Sequence, residues 1–237
     1  MFLQILIILI VSNIISSCKH INNSTIVDRD FYFSSQKSID DFIISYPQCT
    51  IIEGDIKIGA TMKTESIKDL SPFRNIRKVK GNLLIRNNTA LTHLDGFESI
   101  DTIFGAFELA GNNNLISLKG LKNLKYVRDV FSLGSGTNFK DLIELENLEH
   151  VGKLRITGTK LRSLTGLESL KSITSGIVCH QNFNLESIDA LRNVQKVAFL
   201  QLQGSPLKSC KVQSICKLLT DSPDSVTSTS DCDYCED

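Results

Sequence analysis

This chain of 237 residues has few aromatic side chains and no formal net charge. It has no Trp and only 4 Tyr, so an aromatic-lined sugar cleft or a base-stacking platform has little material to be built from. Lys and Arg number 26, as do Asp and Glu, and the formal net charge is therefore zero. Because nucleic acids are held by positive surfaces, we expect no nucleic-acid partner. Hydrophobic residues make up 41% of the chain, which is enough for one substantial core.

The N-terminal segment is apolar but too short to span a bilayer comfortably. Residues 2–15 contain only three polar side chains, and residues 1–17 are predicted to be an export signal peptide. The run ends at Ile15-Ser16-Ser17-Cys18. These four residues resemble a bacterial lipobox, which implies that Cys18 is acylated and anchors the chain to a membrane, at the outer membrane or the cell surface. The alternative is a plain cleaved signal, in which case the protein is secreted.

A block of about two dozen residues recurs through most of the chain. Each copy has the form Gly-x-apolar-x-apolar, then a polar turn, then Leu-x-x-Leu-x-Gly-Leu-x-x-Leu, and the clearest copies begin at Gly81, Gly105 and Gly152. The first apolar strand residues lie at positions 56, 83, 107, 131, 154, 177 and 200, so the spacings are 27, 24, 24, 23, 23 and 23. Such a period is typical of a solenoid, in which stacked copies share one core.

The pattern inside each copy predicts its local structure. Apolar residues alternate in the strand, as at Leu83 and Ile85, and every other side chain therefore points inward. The later Leu residues, three apart, suit a return segment that faces the same core. Polar clusters recur at one phase just after the strand, at Asn87-Asn88, Asn112-Asn113-Asn114 and Gln181-Asn182-Phe183-Asn184. Asn tolerates left-handed backbone and bonds neighbouring backbone groups, so we predict a structural ladder at these turns.

The opening of the repeat resembles the receptor L domain. The similarity begins at Cys49-Thr50-Ile51-Ile52-Glu53-Gly54-Asp55-Ile56-Lys57-Ile58-Gly59. It continues at residues 67–73 and 79–85 and extends over residues 49–207. Receptor L domains are leucine-rich-repeat-like solenoids found in insulin and epidermal growth factor receptors and in many bacterial surface proteins. The resemblance implies a mainly β fold, a right-handed parallel β-solenoid, in a surface lipoprotein of the kind found in Bacteroidota, and it specifies fold better than function.

Both ends of the solenoid are predicted to be capped. Residues 38–48 have a capping residue, an acidic first turn and an apolar face, which predicts a short helix over the first coil. Residues 18–37 are polar and are interpreted as a tether. Residues 208–237 form a Cys-rich C-terminal cap with a second predicted helix, whose apolar positions are Val212, Ile215, Cys216 and Leu219.

Five of the six remaining cysteines divide into two groups. Cys179 occupies an inward strand position and is predicted to be a buried free thiol. Four are disulfide candidates if the chain is exported, namely Cys210, Cys216, Cys232 and Cys235. Their three possible connectivities stay open, and a zinc site is the alternative, although the long middle spacing lacks a second Cys-x2-Cys pair.

The function is predicted from the outward side chains at the middle strand position. They form one candidate binding face, made of Lys57, Leu84, Glu108, Ser132, Arg155, Val178 and Gln201. This set holds no paired carboxylates and no His beside a nucleophile, as a β-helix carbohydrate-active enzyme would require, so we predict no catalytic residue, metal or cofactor. We expect a non-catalytic binding or adhesion module for an extracellular or envelope protein or glycan. The alternative is an envelope scaffold that spaces other components and has no external ligand.

Overall fold

The computed structural model describes residues 18–21, 24–59, 67–195, 197–206 and 226–228. These residues form one sheet of 15 strands and, within the described ranges, one α-helix, α1 (Gln36–Ser45). The strands are β1 (Cys18–Ile21), β2 (Ser24–Val27), β3 (Phe31–Phe33), β4 (Cys49–Ile52), β5 (Ile56–Ile58), β6 (Lys78–Val79), β7 (Leu83–Arg86), β8 (Thr102–Ile103), β9 (Phe107–Ala110), β10 (Tyr126–Leu133), β11 (His150–Thr157), β12 (Ser172–Ile173), β13 (Gly176–His180), β14 (Phe199–Gln203) and β15 (Val226–Ser228). Short 3₁₀ turns on the return segments are Ser71–Phe73, Lys119–Leu121, Ile143–Leu145 and Asp189–Asn193. The predicted parallel β-solenoid is confirmed.

Most coils contribute two strands, one to each of two parallel columns. The first column runs through β2, β4, β6 and β8, the starts of β10 and β11, and β12. The second column runs through β3, β5, β7 and β9, the ends of β10 and β11, and β13, β14 and β15. Only β1 and β2 pair antiparallel among the described strands. The sequence pattern predicted the second column alone.

Glycine marks the corner between the two columns for a steric reason. A Cβ built on Gly81 would lie 2.5 Å from the carbonyl carbon and oxygen of Gly54 in the coil before it. One built on Gly105 would lie 2.6 Å from the same atoms of Gly81. Neighbouring backbones therefore approach too closely at this corner for any side chain, which explains the Gly that opens each clear copy of the repeat.

The predicted strand phases are confirmed by the register. Strand partners in neighbouring coils align the inward residues Ile56, Leu83, Phe107, Phe131, Leu154, Ile177 and Leu200 in one row. The row begins one coil earlier than predicted, because Phe31 pairs with Ile56. All of these side chains are buried, as are the Leu residues of the return segments between them. The core is thus one continuous apolar interior, as stacking requires.

The predicted tether over residues 18–37 is wrong for most of its length. Ile26, Val27, Phe31 and Phe33 are buried, and β2 and β3 pair in parallel with β4 and β5. These residues add a coil because their apolar side chains cover the exposed end of the core. At the backbone level Cys18 already belongs to the sheet, since it pairs with Val27 in the β1–β2 hairpin.

The predicted N-terminal helix is present but begins earlier. Ser35 is its N-cap: the Ser35 hydroxyl accepts from the Ser38 N–H at 3.2 Å, and the Ser38 hydroxyl accepts from the Ser35 N–H at 3.3 Å. This reciprocal pair fixes the start at Gln36, and the helix ends at Ser45. Phe42 anchors α1 on the first coils, with its ring centroid 5.1 Å from that of Phe31. The predicted C-terminal helix and the four C-terminal cysteines lie outside the described residues.

The predicted amide ladder is confirmed in the turns. Asn88, Asn112 and Asn182 are buried, and each donates its side-chain amide to strand carbonyls. Asn112 Oδ1 also accepts from the backbone N–H of Asn88 at 3.0 Å, which ties one coil to the next. Thr137 and Thr159 take the same place in the two coils between. No described helix has the length and apolar composition needed to cross a membrane.

Candidate functional site: the outer column

The seven predicted face residues lie side by side on consecutive strands. The register pairs Lys57 with Leu84, Leu84 with Glu108, and so on to Val178 with Gln201. Tyr32 extends the row by one strand, because it pairs with Lys57. We call this row the outer column, made of Tyr32, Lys57, Leu84, Glu108, Ser132, Arg155, Val178 and Gln201.

The members of the outer column differ in how far they reach solvent. Tyr32 is 65% exposed and Arg155 is also exposed, whereas Lys57, Leu84, Glu108 and Gln201 are half-buried. Ser132 and Val178 are buried, at 8% and 7% exposure. Each of these two short side chains is flanked in the register by longer ones, Ser132 by Glu108 and Arg155, and Val178 by Arg155 and Gln201. Ser132 and Val178 therefore add little contact area to the predicted face.

Tyr32 and Lys57 form a fixed pair at the N-terminal end of the column. The Lys57 ammonium lies 4.8 Å from the Tyr32 ring centroid and donates to the Tyr32 hydroxyl at 3.3 Å. It also lies 3.3 Å from a carboxylate oxygen of Asp55. The hydrogen bonds to Tyr32 and Asp55 raise the pKa of Lys57. Sequence reasoning missed Tyr32 because it treated residues 18–37 as a tether, although the alternation Phe31-Tyr32-Phe33 is a strand signal.

Asp55 stays ionised beside this pair. Partial burial would raise the pKa of its carboxyl group, but hydrogen bonds outweigh that effect and the pKa is lowered. The backbone N–H of Asn82 donates to Asp55 Oδ1 at 2.8 Å and the Asn82 side-chain amide at 2.9 Å. Asp55 thus joins two coils and also holds Lys57 in place.

Glu108 is neutralised inside the molecule. Arg86 donates from Nε to Glu108 Oε1 at 2.7 Å and from Nη2 to Oε2, a bidentate ion pair between neighbouring strands. The hydrogen bonds to Glu108 raise the pKa of Arg86. Arg155, by contrast, has no ion pair among the residues that the structure describes. Of the three predicted charged residues, Arg155 is the one whose charge is available to a partner.

One segment of the chain matches a known protein family. Residues 48–105, which hold β4 to β8, match the family Receptor L domain. This segment is similar to the receptor L domain, and the match covers about a quarter of the chain. No curated protein sequence matches the chain. Among solved structures, internalin C2 from Listeria monocytogenes is 16% identical, with a TM-score of 0.49, and the match covers 83% of this chain and 76% of internalin C2.

The first strand column carries an aromatic cluster on its outer side. Tyr126 and His150 stack with ring centroids 4.5 Å apart, and Phe104 lies 6.2 Å from Tyr126. All three are half-buried, and burial lowers the pKa of His150. Sequence reasoning did not find this cluster, because the two-residue strands of this column, such as β6 and β8, show no alternation.

Two cysteines lie inside the solenoid and not on its surface. Cys179 pairs in register with Ile156 and is a buried free thiol, as predicted, and burial raises the pKa of the Cys179 thiol to about 12. Cys49 is also buried. Within the described ranges, no group of three or more His, Cys, Asp or Glu side chains is placed to hold a metal ion.

Proposed function

We propose that this protein is a non-catalytic binding module whose partner is a protein that contacts the outer column. The observation that carries the proposal is the alignment of Tyr32, Leu84 and Arg155 on a rigid parallel sheet. Tyr and Arg are the residue types that dominate binding energy at protein interfaces, and Leu84 supplies an apolar centre between them. The match of residues 48–105 to the receptor L domain supports a binding role.

The outer column has the dimensions of a protein interface. Seven steps between neighbouring strands, each of about 4.8 Å, give a row about 34 Å long. A standard interface covers about 800 Å² on each partner, which corresponds to a patch about 28 Å across. Because the contact residues lie on hydrogen-bonded strands, they lose little backbone freedom on binding. The row can therefore span a complete interface.

The chemistry of the outer column favours binding over catalysis. Its single carboxylate, Glu108, is held by Arg86, and the nearest carboxylate to Lys57 is Asp55, which is tied to Asn82. A hydrolase would need an acid, a base or a nucleophile that converge on one point. These charges instead fix the surface in place.

A capture experiment with matched variants tests the proposed contact. The full exported chain, the double variant Tyr32→Ala/Arg155→Ala and the control Lys122→Ala/Glu146→Ala are each cross-linked to envelope extracts. The control residues are exposed on the return segments, away from the outer column. We expect one protein to be captured by the unchanged chain and the control and lost with the double variant. Equal capture by both variants contradicts the proposed site, and no capture at all favours the scaffold alternative.

We further propose that the module is held at a membrane through acylated Cys18, with the cell envelope as its location. The pairing of Cys18 with Val27 supports a short connection, since an acyl group there places the first coil directly at the lipid surface. Labelling with a fatty-acid analogue should reach the chain and disappear in Cys18→Ser. Labelling that persists in Cys18→Ser, or none in the unchanged chain in its own host, contradicts the anchor and leaves a secreted protein.

A further inference from the structure

One turn of the solenoid is shorter in two neighbouring coils. The distance in sequence from the ladder residue to the next core residue is three positions at Asn112–Leu115 and again at Asn182–Leu185. It is only two positions at Thr137–Phe139 and Thr159–Leu161. Two coils in the middle of the row therefore lack one residue each, while the turns on both sides keep it. The two shorter turns border a notch in the turn surface.

The notch is an open cleft lined by cations. Its volume is about 600 Å³, and its lining residues are Asn138, Lys140, Lys160 and Arg162. Lys140, Lys160 and Arg162 are exposed, and none of them forms an ion pair among the residues that the structure describes. The cleft thus concentrates three positive charges, although the formal net charge of the whole chain is zero. The cleft therefore has a local positive potential that the whole molecule lacks.

Hydrogen bonds hold one side of the cleft in place. Lys160 donates from Nζ to Asn138 Oδ1 at 2.7 Å. Asn138 is itself fixed, because its side-chain amide donates to the carbonyl of Asn113 and its backbone N–H donates to the carbonyl of Leu115 at 2.9 Å. The Lys160 ammonium is thus positioned by a neutral amide and not by a carboxylate, so its charge is not cancelled.

The acidic residues nearest in the repeat leave the cleft positive. Glu186 is exposed at the position equivalent to Arg162 in the next coil, and its backbone N–H donates to the Arg162 carbonyl at 2.8 Å. Asp141 follows Lys140 and is half-buried. Neither carboxylate lines the cleft.

We propose that this cleft binds the phosphate or sulfate ester group of a saccharide-sized ligand. Arg162 offers a planar fork that matches two oxyanion oxygens, and Lys140 and Lys160 add point charges. A volume of about 600 Å³ lies within the usual range of small-ligand sites and leaves room for a sugar beside the anion. The site lies on the turns after the second strand column and shares no residue with the outer column, so it stands independently of the proposed protein contact.

Titration of the full chain with two defined probes tests the cleft and separates the two esters. The probes are glucose 6-phosphate and a sulfated disaccharide, measured by calorimetry at low salt, with glucose as the uncharged control. We expect at least one charged probe to bind and glucose not to bind. Because Lys140→Gln/Arg162→Gln removes two cationic side chains that can form charge-assisted hydrogen bonds, it should weaken binding by about 100-fold or more.

A second pair of exposed lysines provides the matched control. Lys122→Gln/Lys125→Gln removes the same charge from another part of the return surface and should leave affinity within about two-fold, since it changes only the screened long-range field. Binding of one probe alone identifies the ester. Equal weakening by both double variants, or no binding of either probe at millimolar concentration, overturns the proposal. Unchanged melting temperatures confirm that the variants fold.

Discussion

Asn112 is the residue at which the stacking of coils can be tested most locally. Its side-chain amide donates to the carbonyls of Ile85 and Ala110 at 2.9 and 3.0 Å, and its oxygen accepts from the N–H of Asn88. In Asn112→Ala these buried groups lose their partner, at a cost of about 1–3 kcal/mol for each group left unsatisfied. We therefore expect a fall of several kcal/mol in the free energy of unfolding, measured in urea.

The neighbouring Asn113 is the control for this change. It is exposed, and Asn113→Ala keeps the backbone carbonyl that Asn138 uses. Its effect should stay within about 0.5 kcal/mol. If Asn112→Ala and Asn113→Ala destabilise equally, the buried ladder does not hold the coils together.

Cys179 should be chemically silent in the folded protein. The thiolate is the reactive form, and burial raises the pKa of this thiol to about 12, so very little thiolate exists at pH 8. We expect iodoacetamide to leave Cys179 unmodified in the native state and to modify it fully in guanidinium chloride, as read by peptide mass spectrometry. Rapid native labelling of Cys179 would show that the strand face on which it lies is open to water.

His150 gives the stability a specific pH dependence. Burial against Tyr126 holds the pKa of His150 below its ordinary value of 6.5, so the unfolded chain takes up a proton more readily than the folded one. The contribution of His150 to stability is therefore complete above pH 6.5 and declines as the pH falls through the folded pKa. In His150→Gln, the free energy of unfolding should decrease less between pH 7 and pH 5 than in the unchanged protein. Parallel curves for the two proteins would contradict this.

At the scale of elements, the N-cap of α1 tests whether the helix and the solenoid unfold together. Ser35→Ala removes the acceptor for the Ser38 N–H, which should cost about 1 kcal/mol. Because Phe42 attaches α1 to the first coils, this loss should lower the melting temperature of the whole unit in a single transition. Ser34→Ala, at an exposed position before the cap, should leave the melting temperature unchanged. A separate early transition for α1 would mean that the cap folds independently of the coils.

Strands of the second column could be predicted because they alternate over three or more residues. Leu83 and Ile85 show the pattern, and their phases repeat through the chain and match the observed register. The first column could not be predicted, since strands such as β6 and β8 have two residues and one buried side chain each. The first coil was missed for a different reason: β2 and β3 hold only short apolar stretches between polar residues, and their burial depends on the coil stacked below them.

Prediction of the site was limited because the exposure of a side chain also depends on the coils stacked beside it. Equal phase was sufficient to align the outer column, because parallel strands in a solenoid keep their register. Exposure was not predictable from phase, since the length of the side chains on both adjacent strands decides it, as at Ser132. The cleft lies where the turns that follow Thr137 and Thr159 are one residue shorter than the equivalent turns of the neighbouring coils. That difference can be measured only after the structure has shown which residues form the buried ladder.

At the scale of the whole molecule, the core and the proposed binding surface lie on opposite sides of the same strands. Inward residues such as Leu154 and Ile156 are fully buried, so changes there act on folding. The outward residue between them, Arg155, is exposed and can change without loss of core contacts. A solenoid built this way can vary its outer column and keep its fold.

Site-specific photo-cross-linking measures the binding role of the outer column most directly. A photoreactive amino acid is placed at Leu84, in the outer column, and in a second chain at Glu146, on the exposed return segment. Both chains are irradiated in cells of the protein's own host. The proposed function predicts one covalent adduct with a partner protein from position 84 and none from position 146. The same adducts from both positions, or an adduct from position 146 alone, would contradict it.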